Sequence, residues 1–246
     1  MAAVPAAWWT LAIAGFGGWM VVVVKQTETL LRSILQGSPV MKDFLKLGGS
    51  DAATNAGILS ALFIFLPLLL MAFAVTQANR WSADEEDGRL ELVLSTPQSR
   101  LRVLFGRFAA LATATVIIAV LTLAATVVAA VATGLTLDTG NLAAATLGMI
   151  PMGLLVAAIG YLAAGWLRAA VETGLLSFLL VIWFVIRFLG PGLNWPEATL
   201  RLSALYYYGT PLLNGLNVGN LVVVVAVGAA ALALASVRFV RKDIAV

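Results

Sequence analysis

Six long apolar runs decide what this chain can fold into. They lie at Trp8 to Val24, Ile58 to Val75, Phe108 to Ala132, Leu147 to Leu167, Gly174 to Leu189 and Leu221 to Val237. A helix rising about 1.5 Å per residue needs roughly 17–25 such residues to cross a bilayer core. In lipid every backbone N–H and C=O must be bonded within the protein, so runs of this kind form helices. The chain is 61% hydrophobic and 11% charged over 246 residues, well outside the range of a soluble domain. The expected fold is an all-α membrane protein, a single six-span domain over residues 1–246.

Charge then sets the orientation. Six spans place both termini and the loops after spans 2 and 4 on one side. That side carries Arg80, Arg89, Arg100, Arg102, Arg107, Arg168, Arg238, Arg241 and Lys242. The other carries Lys25, Arg32, Lys42, Lys46, Arg187 and Arg201, so the balance is nine basic residues to six. The positive-inside rule gives cytoplasmic termini and a multi-pass protein of the cell's inner or plasma membrane. The net charge of +3 is thus loop arginine and lysine placed by topology, and nucleic acid is not indicated as a partner. Trp8 to Val24 lacks the basic flank and small-residue cleavage pattern of a secretory leader.

Absent residue types remove whole classes of chemistry. There is no cysteine and no histidine. Disulfides, thiolate or imidazole metal sites, and Ser-His or Cys-His catalysis are excluded, and no metal site is expected. No phosphate-binding loop of the form G-x-x-x-x-G-K-S/T is present. The chain is therefore not expected to be an enzyme by itself, nor to bind ATP and Mg.

The most informative polar segment is 81–107, WSADEEDGRLELVLSTPQSRLRVLFGR, held between spans 2 and 3. Ser82-Ala83-Asp84-Glu85 fits a capping box that would start a new helix. Asp84, Glu85, Glu86 and Asp87 would then lie near its positive end. Leu90, Val93 and Leu94 make an apolar stripe. Thr96 as N-cap and Pro97 at the first helical position predict a second helix, carrying Arg100 and Arg102 through Arg107 into span 3. A stripe that must be covered, and four consecutive acids beside an anionic inner leaflet, point to a protein partner rather than a bare solvated loop.

Glu86 to Arg100, EDGRLELVLSTPQSR, resembles the signature of type-2 ABC exporter permeases, roughly E-x-G-x-L-E-x-L-L-S-x-P-x-S-R. Tyr206-Tyr207-Tyr208, Pro211 to Leu216 and the ending Phe239 to Ile244 are similar to that family's outer helices, sixth span and tail. The resemblance runs from about residue 8 to the C-terminus. It implies a permease that moves an apolar or amphipathic cargo (a drug, antibiotic or lipid-like molecule) outward. It implies a coupling helix seated in a separate nucleotide-binding ATPase subunit, which binds the ATP and Mg. It also implies a second six-span unit, identical or related, as partner. The coupling positions would be Glu85, Glu86, Gly88, Glu91, Pro97 and Arg100. The chain departs from the family in having no basic amphipathic helix ahead of span 1.

Outside the spans, Thr29 to Leu47 shows i, i+3, i+4 apolar spacing on both sides of Gly37-Ser38-Pro39, predicting two short outer amphipathic helices. The stretch 194–214 is a second outer helical segment, with Tyr206, Tyr207 and Tyr208 as an interfacial belt or, with Arg187, a candidate outer gate. Arg187 can snorkel outward, and Glu172 is expected to pair with Arg168. Pro67 and Pro151 should kink spans 2 and 4, as static bends or as hinges. Gly160 and Ala164 offer a small-residue face for close helix contact. No Asp or Glu lies mid-span, which disfavours the competing reading of a gradient-driven transporter or channel. A non-transporting membrane assembly subunit is the third reading.

Overall fold

The computed structural model describes residues 3–27, 55–87 and 99–241. These residues form helices and no strands. They are α1 (Ala3–Gln26), α2 (Asn55–Phe63), α3 (Phe65–Glu86), α4 (Arg100–Thr133), α5 (Thr139–Leu147), α6 (Ile150–Ala163), α7 (Ala169–Leu189), α8 (Glu197–Leu200), α9 (Ala204–Tyr208), α10 (Pro211–Asn214) and α11 (Val218–Arg241). Six stretches are long and apolar enough to span a bilayer: α1, α2 with α3, α4, α5 with α6, α7, and α11. The chain is an all-α, multi-pass membrane protein, as the six apolar runs predict.

Both proline kinks are present, and their positions follow from covalent geometry. A proline lacks the N–H that would bond the carbonyl four residues earlier, and its ring crowds that carbonyl. Pro67 lies four residues after Phe63, where α2 ends, and Pro151 four after Leu147, where α5 ends. Spans 2 and 4 are therefore each two helices joined at a break.

These two broken spans are the centre of the bundle. In the most apolar stretch of span 2, 72% of residues are buried, and 61% in span 4, against 17–33% in the other four. Their neighbours are arranged around them: α6 packs on α11 and α3, α3 on α7, and α1 along α4. The outward faces of the peripheral spans are apolar, with Leu175, Phe178, Val222 and Leu234 exposed. That is what lipid-facing helix requires.

Without a hydrophobic drive between helices in lipid, close backbone approach and internal hydrogen bonds carry the packing. The α1–α4 contact is built on Gly17 and Gly18. A Cβ on Gly17 would lie 3.1 Å from the methyls of Thr122 and Thr126, and one on Gly18 3.3 Å from the Ala125 carbonyl oxygen. Thr122 and Thr126 are buried here, as Thr115 is against Gly153 of α6, yet each hydroxyl donates to the carbonyl four residues back. Polar side chains thus present only methyls to the neighbour. Gly160 of α6 plays the same part at the junction of α3, α6 and α7. A Cβ there would meet the Ala78 Cβ at 2.6 Å and Leu176 Cδ1 at 3.2 Å. The small-residue face expected at Gly160 is thus used inside one unit.

Local sequence sets the ends of α4. Ser99 is its N-cap, with φ −71° and ψ 141°, and its hydroxyl accepts from the Arg102 amide at 3.3 Å. The helix entering span 3 therefore starts at Arg100; Thr96 and Pro97, the predicted cap and first helical position, lie outside the described residues. Gly134 closes it in the left-handed region at φ 65°. The predicted outer helices over 29–47 lie outside the described residues. The second outer segment holds three short helices, α8 to α10.

The Gly160 junction makes a direct prediction. Gly160→Ala should destabilise the protein in detergent by about 1–3 kcal/mol, because Ala78 on a packed helix has nowhere to move. Gly174→Ala, with nothing within 4 Å of the added carbon, should change stability by less than about 1 kcal/mol. Thermal unfolding of both variants tests this, and equal effects would contradict it.

Candidate functional site

The last two turns of α3 gather the polar chemistry of the bundle. The structure corrects one local reading here. Ser82 does not cap a new helix, because α3 runs unbroken from Phe65 to Glu86. The Ser82 side chain is instead buried, and its hydroxyl donates to Glu172 Oε2 of α7. The sequence pattern of a capping box is real, but continuous helix wins because Ser82 and Asp84 find partners on other spans.

Those partners cover four spans. Arg107 Nη1, near the start of α4, donates to Asp84 Oδ2 at 2.7 Å. Its guanidinium also lies over the Trp81 ring, 5.1 Å from the centroid. Trp81 is 3% exposed and packs against Tyr161 of α6 and Phe239 of α11, with ring centroids 5.3 and 5.1 Å away. It is thus an interior residue of the bundle rather than a surface anchor. The backbone N–H of Ala169, the first residue of α7, donates to Glu86 Oε1 at 2.8 Å. Arg168, the N-cap of α7, makes no side-chain cap of its own, so Glu86 supplies an acceptor and a negative charge at the positive end of that helix.

The expected Arg168–Glu172 ion pair is replaced. Arg168 is exposed, while Glu172 is fully buried and turned to Ser82. Of the predicted coupling positions, Glu85 and Glu86 fall in the last turn of α3, and Arg100 is the first residue of α4. Gly88, Glu91 and Pro97 lie outside the described residues. The structure therefore places the two ends of the 81–107 segment against the spans. Ser82, Asp84, Arg107, Tyr161, Glu172 and Phe239 are the residues that sequence reasoning did not assign to this site. The signal that could have found them is a set of polar and aromatic residues at matching ends of five spans.

A second feature opens beside α3. Trp9, Leu68, Val75, Leu180, Val181 and Phe184 line a cleft of about 410 Å³ between α1, α3 and α7. Two of its hydroxyls are already used, Thr76 on the Phe73 carbonyl and Thr173 on the Ala169 carbonyl. The cleft surface is therefore close to purely apolar.

At the opposite end of the bundle the three tyrosines differ. Tyr208 is buried, and its hydroxyl donates to the Ala145 carbonyl at 2.6 Å, tying α9 to α5. Burial pushes its pKa upward, so it stays a neutral donor. Tyr206 donates to Glu197 Oε1 at 2.9 Å, which also accepts from Arg201 at 2.8 Å. The Arg201 hydrogen bond, then that of Tyr206, holds the Glu197 carboxyl below the usual carboxylate range. Tyr207 stacks edge-on to Tyr206. Arg187 sits half-buried in the last turn of α7.

The family described as "Multidrug efflux system permease Rv1217c, C-terminal domain" matches residues 2–240. No curated protein matches the chain.

The Ser82–Glu172 contact is testable by a double-mutant cycle. Ser82→Ala removes the donor to a buried carboxyl, and Glu172→Leu removes the acceptor. Thermal unfolding in detergent should give a coupling of about 0.5–2 kcal/mol between the two sites. Strict additivity would mean that the contact does not hold α3 to α7.

Proposed function

The chain belongs to the family of multidrug efflux system permeases matched above, and from that premise we propose that it is the membrane subunit of an ATP-driven exporter. The observation that carries the reading is where the two described ends of the 81–107 segment sit. Its two ends, α3 and α4, are bonded to each other by Asp84–Arg107 and to every span from 3 to 6 through Trp81, Ser82 and Glu86. A force applied to that segment by a partner would be felt across the bundle.

In this reading the charged end, with both termini, faces the cytoplasm. A separate nucleotide-binding subunit binds ATP and Mg and grips Glu85 to Arg100. The chain hydrolyses nothing itself. Closure of the ATPase would displace α3 and α4 together, and Pro67 and Pro151 would serve as hinges below and beside them. A second six-span unit completes the pathway, which fits a family described as one domain of a permease. The apolar cleft between α1, α3 and α7 supports an apolar or amphipathic cargo, because few polar groups in it are left to specify one. Tyr206 and Arg187 would lie at the outer exit, with Tyr208 as the fixed post.

A gradient-driven mechanism draws less support. Among the described residues the buried carboxyl is Glu172, which sits in the first turn of α7 rather than mid-span and is bonded to Ser82. Ion-driven carriers place such groups along the pathway.

The reading predicts uncoupling by charge reversal. In a reconstituted complex, Glu86→Lys with Glu91→Lys should abolish ATP-dependent dye efflux while the six spans stay folded, as judged by helical circular dichroism. Glu86→Gln, which keeps an acceptor for Ala169, should retain most of the activity. Unchanged efflux and unchanged co-purification of the ATPase in the double Lys variant would contradict the reading.

A further inference from the structure

A second cavity, of about 440 Å³, lies between α1, α3 and α4 at the charged end. It is separate from the apolar cleft and differs from it in chemistry. One half is apolar, walled by Ala6, Phe73, Leu111 and Ala114. The other half carries Gln77, Arg80, Asp84 and Arg107. Its volume falls in the ordinary range of small-molecule sites.

The charges do not cancel. Asp84 is bonded to Arg107 at 2.7 Å, which leaves Arg80 as an excess cation in the cavity wall. Arg80 is half-buried and has no ion pair or hydrogen bond among the described residues. Arg107 is preorganised by two contacts, Asp84 on one side and the Trp81 ring on the other. One of its five N–H donors is accounted for by Asp84, so others remain for a ligand. Arg80 and Phe73 lie seven residues apart on α3. That puts the cationic and apolar halves about 10 Å apart along one helix, the separation between a lipid-type headgroup and the first part of its chain.

We propose that this cavity binds an anionic amphiphile, with its phosphate-like or carboxylate headgroup on Arg80 and Arg107 and its chain along Phe73, Leu111 and Ala114. Arginine is suited to this work because its fork of donors meets such oxygens in pairs. The ligand can come from the adjoining leaflet as a phospholipid, or from solution as a free amphiphile. The recognising chemistry is the same for both. The inference does not depend on the chain being an exporter.

Native mass spectrometry of the full chain released from neutral detergent tests it. The probes are dioleoylphosphatidylglycerol, dioleoylphosphatidylcholine and decyl phosphate. Phosphatidylglycerol should be retained in preference to phosphatidylcholine. Arg80→Gln should weaken that retention about tenfold, and Ala114→Phe, which fills the apolar half, should weaken it with every charge intact. Arg241→Gln, a basic residue exposed outside the cavity, should leave it unchanged. Competition by decyl phosphate would assign the site to a free amphiphile, and its failure to compete would assign the site to the leaflet lipid. Equal retention of the two lipids, or retention untouched by Arg80→Gln in a variant of native helicity, would overturn the proposal.

Discussion

The contacts of one helical turn and a half, from Trp81 to Glu86, organise the bundle. Its residues reach the start of α4, the end of α6, the start of α7 and the end of α11. Ser82 and Glu172 are buried, and a polar group inside the bundle must find a partner because water is not there to supply one; Asp84, Arg107 and Glu86 lie at the more open rim of the same end. Asp84 answers Arg107, Ser82 answers Glu172, and Glu86 answers the open N-terminus of α7. Trp81 fills the space between them. Span 1 is held differently, by Gly17 and Gly18 against the threonine face of α4. The bundle thus has a polar clasp at one end and close backbone packing through the middle.

Features fixed by covalent geometry or by long apolar runs were legible from residues alone. The six spans follow from lipid solubility, and the two breaks from prolines that remove a bond to the carbonyl four residues back. Features decided by tertiary partners were not. Ser82-Ala83-Asp84-Glu85 carries the local pattern of a helix start, yet α3 passes straight through it. The pattern describes what Ser82 could do for its own backbone. It cannot register that a carboxyl on α7, ninety residues away, offers the hydroxyl a better partner. Glu172 was misassigned to Arg168 for the same reason: sequence neighbours are visible and span neighbours are not. Ser99 caps α4, although Thr96 before Pro97 carries the stronger local pattern, because several hydroxyl residues crowd this stretch and only backbone geometry decides which one caps.

The family of multidrug efflux permeases and the physical layout point the same way. The polar clasp ties the ends of spans 2 and 3 to spans 4, 5 and 6, while the cleft between α1, α3 and α7 offers a wide apolar surface with little to select one molecule from another. In the proposed function, that combination would suit a permease of varied cargo. Rigid polar contacts transmit motion, and a weakly specifying apolar surface tolerates many shapes. The outer end is built on the opposite balance, with Tyr208 fixed in the interior and Glu197, Arg201 and Tyr206 in an exposed network.

The proposed function has a separate ATPase grip the 81–107 segment. The most direct measurement is a pull-down of the tagged chain from its native membrane in mild detergent, with ATP hydrolysis assayed on the eluate. A nucleotide-binding protein should co-purify, and the eluate should hydrolyse ATP. Recovery of the folded six-span protein with no ATPase, under conditions that preserve membrane complexes, would contradict it.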